Sequence, residues 1–443
     1  MLHSLAGGSL LMPGLVSTLL ADDNPMAPRQ PNFPAKAKRV IFLSMTGGVS
    51  QVDSFDPKPK LTADHGHQLP NKKYLVGSPF EWKPRGQCGT EISELFPNVA
   101  TCADDLCVIR SMKNDDNDHF GATLGIHTGS VMFSRPSIGS WVSYGLGTVN
   151  QNLPSFVVLA PELPYAGGQV FGADFLPGAH QGTRIVPGAE PIPNMTRRSE
   201  STGMQRGELD LLAEFNRRHL AGRPSDPSLA ARMKSLETAF GMQQEAPEVF
   251  DLSKESDATH KLYGLERGST QGFAWQCMIA RRLAERGVRF VELIDSGSDL
   301  NKNWDAHFDI QTHVGLARNV DRPIAGLLKD LKSRGMMDDT LVIWATEFGR
   351  TPFHEKPDGK GREHHSKVFC AWLAGAGVKP GITWGESDEY GIEVAKDQMH
   401  FHDFHATILN LLGIDHTKLT YRYAGRDFRL TDVAGNVVKG VLA

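Results

Sequence analysis

The sequence has few cysteines and no strong excess of either charge, and each shortage excludes a class of protein. Its five cysteines show no C-x-x-C spacing, which argues against a zinc site held by thiolates and against a dense disulfide framework. Cys102 and Cys107 can pair if the chain is exported, although small buried apolar side chains are the favoured interpretation. A formal charge of −4 gives no electrostatic reason to expect nucleic acid or an anionic membrane as a partner.

The sequence also lacks an apolar run long enough to span a membrane. Leu5–Ala21 is apolar and rich in small residues, but it is short and contains Pro13. It resembles the h-region of an export signal whose basic start is clipped, with an ordinary disordered N-terminus as the alternative. We therefore predict an exported protein, periplasmic or extracellular, without a membrane span in its mature form. Residues 1–38 form the signal-like segment and a linker.

Short apolar runs alternate with helical patterns along the rest of the chain. We predict strands at Val40–Met45, Leu106–Arg110, Phe156–Ala160, Val288–Ile294, Leu341–Ala345 and Val368–Ala374. Helices are expected between them, at Ser228–Phe240, Trp275–Arg286, Ala317–Arg334 and Asp403–Leu412. This alternation predicts an α/β fold, a doubly wound and mostly parallel sheet with helices on both faces.

The predicted domain spans residues 39–443 and contains one insertion. Residues 161–193 hold 12 Pro or Gly among 33 positions, a composition typical of a long loop. A helical stretch follows. We interpret residues 161–270 as a loop and helix insertion that covers the sheet edge or the functional site.

Acidic and imidazole side chains gather near the ends of the later strands. Nine of the seventeen histidines follow residue 300. Asp305 and His307 come after one predicted strand, Glu347 comes two residues after the next, and His364 precedes another. Because ligands in open α/β sheets bind beyond the carboxyl ends of the strands, we predict that these four residues hold one or two divalent ions. Zinc fits this mixture of N and O ligands best, with manganese, iron, calcium or magnesium as alternatives.

Other interpretations of these residues stay open. Asp305 and His307 also fit a hydrogen-bonded loop pair, and Glu347 also fits a pair with Arg350. Arg350 is a candidate clamp for a phosphate or sulfate group or a structural partner. His405 lies in the first turn of a predicted helix, where the dipole disfavours a protonated imidazole. That position suits a proton-transfer residue, and a packing role is equally compatible with it.

Eight segments of the chain together carry a family resemblance: Gly47–Lys58, Arg110–Met112, His119–Gly129, Thr346–Pro352, Arg362–His365, Ala374–Gly377, Gly385–Asp388 and Asp403–Leu409. They resemble a family of exported bacterial proteins of unknown function, abundant in planctomycetes, within the alkaline-phosphatase/sulfatase superfamily. The resemblance covers almost the whole chain. It implies an alkaline-phosphatase-like fold, a two-metal site, and metal-binding roles for Asp305, His307 and His364, with Glu347 in place of the usual Asp.

The chain departs from the superfamily pattern at three places. Phe348 stands where a histidine usually follows the acidic residue. His119 occupies the position of the nucleophile, ten residues before Gly129. A histidine there can bind metal or become phosphorylated, or its presence can indicate that the usual double-displacement chemistry is lost. The first strand ends without an aspartate, so Asp53 or Asp56 has to substitute.

These features predict a metal-dependent hydrolase of phosphate or sulfate esters in which a metal-bound water attacks directly. His119, His405 and Arg350 are the predicted catalytic residues. The predicted metal ligands are Asp305, His307, Glu347, His364, His119 and Asp53. The substrate is a small-molecule or glycan ester. A non-catalytic exported binding protein on the same scaffold and a metal-dependent mutase or isomerase are the alternatives.

Overall fold

A nine-stranded sheet forms the centre of the computed structural model, which describes residues 26–192, 200–221, 227–296 and 303–443. The signal-like segment predicted at the N-terminus lies largely outside these residues. The strands are β1 Arg39–Met45, β2 Leu106–Lys113, β3 Phe156–Leu159, β4 Thr183–Ile185, β5 Phe290–Asp295, β6 Thr340–Thr346, β7 Phe369–Ala374, β8 Ile382–Trp384 and β9 Met399–His400.

Ten α-helices accompany the sheet in the described part of the chain. They are α1 Gln51–Ser54, α2 Pro59–Ala63, α3 His119–Thr128, α4 Ile138–Leu146, α5 Thr202–Ala221, α6 Pro227–Phe250, α7 Asp257–Tyr263, α8 Gly272–Glu285, α9 Thr312–Ser333 and α10 Phe401–Leu411. Short 3-10 turns occur at Val99–Asp105, Gly167–Phe171, Gly178–His180, Leu252–Lys254 and Lys439–Val441. Among the described residues, no helix combines the length and the apolar character needed to cross a bilayer.

The strand order is β8-β2-β7-β6-β1-β5-β3-β4, with β9 also paired to β2. β7 runs antiparallel to both of its neighbours, and the other pairings in this sheet are parallel. The predicted doubly wound, mostly parallel fold is therefore confirmed. β4 shows that the Pro- and Gly-rich segment is not entirely loop, because Thr183–Ile185 pairs with β3 at the sheet edge.

Helices cover both faces of the sheet because the side chains of a strand alternate. Ile41 and Leu43 of β1 belong to a core that includes residues of α8 and α9. Val40 and Phe42 point to the opposite face, into a core shared with α3, α4 and α10. All five cysteines are free, and the buried Cys102 and Cys107 follow the interpretation as small apolar residues.

The remaining strands form two-stranded sheets outside the central one. They pair Tyr74–Leu75 with Phe353–His354, Trp82–Arg85 with Thr90–Ser93, Gly349–Arg350 with His364–His365, Glu386–Ser387 with Val394–Lys396, and Tyr421–Tyr423 with Arg426–Phe428. The third of these pairs matters for the site, because it places His364 beside the chain that leaves β6.

Candidate metal centre

The carboxyl ends of β1 and β6 bring the first parts of the site together. The two strands are in register, with Met45 paired to Thr346, so the segments that follow them emerge side by side. The backbone N–H of Gly47 donates to Glu347 Oε1 at 2.8 Å. Gly47 has φ +118°, and a Cβ there would lie 2.8 Å from the backbone nitrogen of Trp304. This close approach of two backbones explains the glycine and positions the neighbouring Asp305.

The loop that carries Asp305 and His307 is also tied to the segment before His364. Arg362 donates its backbone N–H to Ala306, and Ile310 donates to Lys360. These bonds place the two segments next to each other, although 57 positions separate His307 from His364 in the chain. Sequence-distant loops thus meet at one point beyond the sheet.

Three imidazoles converge on one carboxylate oxygen. The Nε2 atoms of His119, His307 and His364 lie 3.3, 2.9 and 3.3 Å from Asp305 Oδ1. His307 Nε2 and His364 Nε2 are 2.9 Å apart. In a tetrahedral site with metal–nitrogen bonds of about 2.0–2.1 Å, neighbouring ligand atoms are about 3.3–3.4 Å apart. The observed spacings are close to those of a ligand set around one ion.

Each of these imidazoles is anchored through its other nitrogen. His119 Nδ1 lies 2.8 Å from Glu347 Oε1, and His307 Nδ1 lies 2.7 Å from Glu363 Oε2. His364 Nδ1 lies 2.8 Å from the carbonyl oxygen of Asn117. Metal-binding histidines almost always donate the distal N–H to a carboxylate or a carbonyl in this way. With Nδ1 protonated, the Nε2 atom of each imidazole keeps a lone pair for a metal ion.

The burial of His119 strengthens this assignment. Its side chain is about 10 % exposed, and its Nε2 has no hydrogen-bond partner despite the short distance to Asp305. An unsatisfied buried nitrogen is costly unless another ligand completes it. His119, Asp305 and His364 form the group of metal-type side chains found within 4.8 Å of one another among the described residues. His307 falls outside this group, although its Nε2 lies 2.9 Å from both Asp305 Oδ1 and His364 Nε2. The two nitrogens and one oxygen within the group suit zinc or a similar divalent ion.

The carboxylates of the site are held in their charged forms. Burial raises the pKa of Asp305, but the nearby imidazoles of His119 and His364 and the charge of Arg350 outweigh it and lower the pKa well below its usual value. Burial likewise opposes ionisation of Glu347, and the bond to His119 lowers its pKa overall. Both carboxylates raise the pKa of His119 against the effect of burial, so protons and a metal ion compete for this imidazole.

Two aromatic rings enclose the site. Tyr165 stacks on His119 with ring centroids 4.0 Å apart and planes 9° apart. Phe348 lies 4.8 Å from His119 and 4.5 Å from His364, centroid to centroid. The residue that replaces the expected histidine of the superfamily thus packs against two of the imidazoles. His307 and His364 keep side-chain exposures of 28 % and 18 %, so the site opens on their side.

The structure brings together four of the predicted ligands, namely His119, Asp305, His307 and His364, and corrects the position of Glu347. Glu347 Oε1 accepts from His119 and Gly47, and its Oε2 accepts from the hydroxyl of Thr346 at 3.0 Å. With both oxygens occupied in this way, Glu347 orients His119 and does not join the converging ligand atoms.

Asp53, predicted as a metal ligand, lies elsewhere. Its two carboxylate oxygens contact the guanidinium of Arg362 at 2.6 and 3.2 Å, and Ser50 donates to Oδ2 at 2.5 Å. Both charged side chains are fully buried. A buried carboxylate paired with an arginine is already neutralised, so the pair braces the segment before Glu363.

Arg350 is at the site but is not placed as an anion clamp. Its side chain is fully buried. Its guanidinium donates to Asp305 Oδ1 at 2.6 Å and to the backbone carbonyls of Gly47, Gly48 and Arg362. These bonds use most of its donors. The arginine therefore holds Asp305 in place, and the partner considered from the sequence, Glu347, is not the one it contacts.

His405, predicted as a proton-transfer residue, is also remote from the ligands. Its Nε2–H donates to the carbonyl of Ile126 at 2.7 Å. Ile126 lies seven residues after His119 on α3, which is about 10 Å along the helix axis. Burial lowers the pKa of His405 to about 3. The neutral imidazole expected at this position is present, but its role is packing between α10 and α3.

Sequence reasoning missed two residues that contact the ligands. Glu363 precedes His364 in the sequence, but its bond to His307 depends on a loop conformation that no pattern predicts. Tyr165 lies in the Pro- and Gly-rich loop after β3. Its position just beyond the carboxyl end of a parallel strand was the available signal, since functional loops gather there.

A comparison with protein-family models matches residues 37–442 to the family described as "Protein of unknown function (DUF1501)". The chain belongs to the DUF1501 family. No curated protein matches this DUF1501 chain. The match covers the sheet and every residue of the candidate centre.

The solved structures with similar folds include a synthase, a sulfatase and an alkaline phosphatase. One is the lipoteichoic acid synthase LtaP from Listeria monocytogenes (10 % identity, 93 % of this chain and 80 % of that chain, TM-score 0.39). A second is the PsFucS1 sulfatase from Pseudoalteromonas sp. (13 % identity, 90 % of this chain and 70 % of that chain, TM-score 0.38). A third is the alkaline phosphatase from the Antarctic bacterium TAB5 (12 % identity, 87 % of this chain and 99 % of that chain, TM-score 0.33). Similarity at these values does not bear on function.

Proposed function

We propose that this protein hydrolyses phosphate or sulfate esters with a divalent metal ion held by His119, Asp305, His307 and His364. The observation that carries the proposal is the convergence of three Nε2 atoms on Asp305 Oδ1, each with its Nδ1 bonded to a protein oxygen. A divalent ion bound by such ligands supplies Lewis acidity to an ester oxygen and to water.

The chain itself supplies positioning and electrostatics around the ester. Arg350 fixes Asp305 and lowers its pKa, which keeps the carboxylate charged. α3 begins at His119, so the positive end of its dipole lies at the site and favours a bound anion. Glu347 and Glu363 hold two of the imidazoles in the orientation that directs Nε2 inwards.

Direct attack by water fits the site better than a covalent intermediate. Within the described ranges, no Ser, Thr or Cys side chain hydrogen-bonds to any of the four ligands. The nearest hydroxyl in the network, that of Thr346, donates to Glu347. Both nitrogens of His119 face carboxylates, which supports a role for His119 as a ligand over one as a phosphate acceptor.

Metal analysis combined with an ester screen tests this function. Purified protein is expected to contain about one zinc-type ion per chain and to hydrolyse at least one class among aryl phosphates, phosphodiesters and aryl sulfates. Asp305→Ala and His364→Ala each remove a ligand, so both metal content and activity should fall at least tenfold. His67→Ala, an exposed histidine outside the site, is the matched control and should change neither. Retention of metal and activity by both ligand variants would overturn the proposal.

One observation favours a second candidate, a non-catalytic metal-binding protein on the same scaffold. The guanidinium of Arg350 is buried and bonded to protein oxygens, so it offers little to a substrate anion. A protein that binds the metal but hydrolyses none of the three ester classes would support this candidate over the enzyme.

The proposed setting is outside the cytoplasm, with a small-molecule or glycan ester as partner and no nucleic acid. The export proposal is supported by the apolar Leu5–Ala21 stretch, which lies outside the described residues. Cell fractionation tests it, and a purely cytoplasmic location would contradict it.

A further inference from the structure

A large open cleft lies beside the metal centre at the same edge of the sheet. Its volume is about 1470 Å³, and its walls include Pro161 and Glu162, which follow β3, and Asp295, the last residue of β5. In the sheet register Met45 lies between Asp295 and Thr346. Because neighbouring strands are about 4.8 Å apart, Asp295 and the strand end that leads to Glu347 are separated by roughly 10 Å.

The size of the cleft points to an extended ligand. Sites for drug-sized molecules usually occupy about 300–1,000 Å³, and this cleft is larger. It runs from the strand ends to the beginning of α9, where Gln311 and Arg318 line it, and to the turn before α8, where Ser269 lines it. A chain of several linked units fits this space better than one compact molecule.

The wall of the cleft offers hydrogen-bonding groups that the protein does not use. Six lining side chains have no hydrogen bond or ion pair to any residue of the described ranges: Glu162, Glu266, Gln271, Gln311, Arg318 and Asn319. The amides among them each carry both a donor and an acceptor. Hydroxyl groups need both kinds of partner, so this lining suits a molecule rich in hydroxyls.

The lining carries more carboxylates than cations, with Glu94, Glu162, Glu266, Asp295 and Asp321 against Arg318 and Arg322. Three of these carboxylates accept hydrogen bonds only from neutral N–H groups, which leave their charge in place. This excess of negative charge disfavours a polyanion in the cleft, whereas an uncharged chain meets no such repulsion.

Flat apolar surfaces complete the lining. Phe80 and Phe273 contribute rings, and Pro79, Pro97 and Pro161 contribute further non-polar faces. Sugar rings combine hydroxyl edges with non-polar C–H faces, which is the same combination that the wall presents.

We propose that this cleft binds an uncharged carbohydrate chain. Its link to catalysis rests on the proposed function, because the cleft would then hold the neutral part of a glycan ester whose charged group reaches the metal centre. Binding itself requires no catalysis, so the two proposals can fail separately.

A glycan array followed by calorimetry tests the inference on the full-length protein. The array carries neutral oligosaccharides of glucose, xylose, mannose and galactose together with sulfated and phosphorylated forms, and an arginine-rich decapeptide is tested in parallel. Binding is expected to the neutral chains. Combining Gln311→Ala with Asn319→Ala should weaken it at least tenfold, since each lost hydrogen bond is worth about 1 kcal/mol. Ser269→Trp, which places a bulky ring in the cleft, should weaken binding as well.

Two controls separate binding from folding and from catalysis. Gln87→Ala removes an exposed amide outside the cleft and should leave the affinity unchanged, and thermal melts verify that every variant is folded. Glu347→Gln should retain glycan binding even if hydrolysis is impaired. The inference is overturned if no neutral chain binds, if only charged glycans or the basic peptide bind, or if the cleft variants bind as the parent does.

Discussion

Two histidines of α3 pair with carboxylates in nearly the same way, yet only one of them belongs to the candidate metal centre. His119 lies 2.8 Å from Glu347, and His127 lies 2.7 Å from Glu292. Both imidazoles are buried, and in both cases the carboxylate raises the pKa that burial alone would lower. They are about 12 Å apart along the helix axis. The two pairs differ in what the second ring nitrogen does.

The position of each residue in the helix decides that difference. His127 Nδ1 lies 2.7 Å from the carbonyl of Thr123, four residues earlier in the same helix. His119 is the first residue of α3 and has no preceding turn of helix, so its second nitrogen stays unbonded and points towards Asp305. A histidine–carboxylate pair is therefore not by itself a metal site. The free nitrogen, and the other ligands that meet it, make the site.

Of the two histidine–carboxylate pairs, His127–Glu292 is the more deeply buried, and breaking it should have the largest effect on the free energy of unfolding. His127→Ala leaves Glu292 fully buried and without its partner, and such a change costs about 3–5 kcal/mol. The metal content should stay the same because His127 directs neither nitrogen at the metal centre. Urea denaturation of metal-free protein and elemental analysis of the folded variant measure the two quantities.

A matched double variant separates charge burial from loss of packing. Replacing both partners, His127→Leu with Glu292→Leu, removes the uncompensated charge and should recover most of the lost stability. If a folded His127→Ala protein instead loses its metal, the distinction between the two pairs is mistaken.

Asp295 shows how a half-buried carboxylate behaves without an imidazole. Its substitution should have the second largest effect on stability. Burial raises its pKa from 3.8 to about 6, against a weaker opposing effect of the hydrogen bond from Trp304. Below pH 4 the group is protonated in both the folded and the unfolded states. Between pH 4 and 6 the unfolded state loses the proton first, so stability falls as the pH rises, and the full cost persists above pH 6.

Asp295→Asn removes that cost while keeping an oxygen for the bond from Trp304. The variant should be more stable than the parent at pH 8, by up to about 3 kcal/mol, and equal to it well below pH 3.8, where the carboxyl is protonated in both states. Urea midpoints at the two pH values give the comparison. An equal difference at both would show that the effect does not come from ionisation of Asp295.

The fold was predictable because its signals are local. β1 is apolar from Val40 to Leu43, as a central parallel strand requires, and Gly47 and Gly48 mark the break that follows it. Most of the predicted strands agree with the structure to within two residues; β2 extends three residues further. The side chains of Val40 to Leu43 are all apolar and alternate between the two faces of the sheet, so both faces need covering helices.

The candidate site was predictable only in part because partner choice is not local. Asp305, His307 and His364 lie in loops that the strand order already brings to one edge. Asp53 is equally acidic and equally close to a strand end, but a buried arginine 309 positions away takes both of its oxygens. Glu347 was placed correctly at its strand end, while its contact with His119 depends on the precise rotation of α3. Sequence patterns locate such side chains without specifying which atoms face each other.

Glu347→Gln should have the smallest effect on free energy among the three predictions. It tests whether Glu347 contacts His119 or the metal ion. If Glu347 only orients His119, the substitution should weaken zinc binding about 10–100-fold, which is about 1.4–2.7 kcal/mol, as removal of a supporting carboxylate usually does. Competition with a chelator measures the affinity. Glu292→Gln makes the same chemical change at the other pair and should leave the affinity unaltered. A loss well beyond 100-fold for Glu347→Gln alone would mean that the carboxylate binds the metal directly, and the contrast between the two pairs would then lie in their acids and not in the free nitrogen of His119.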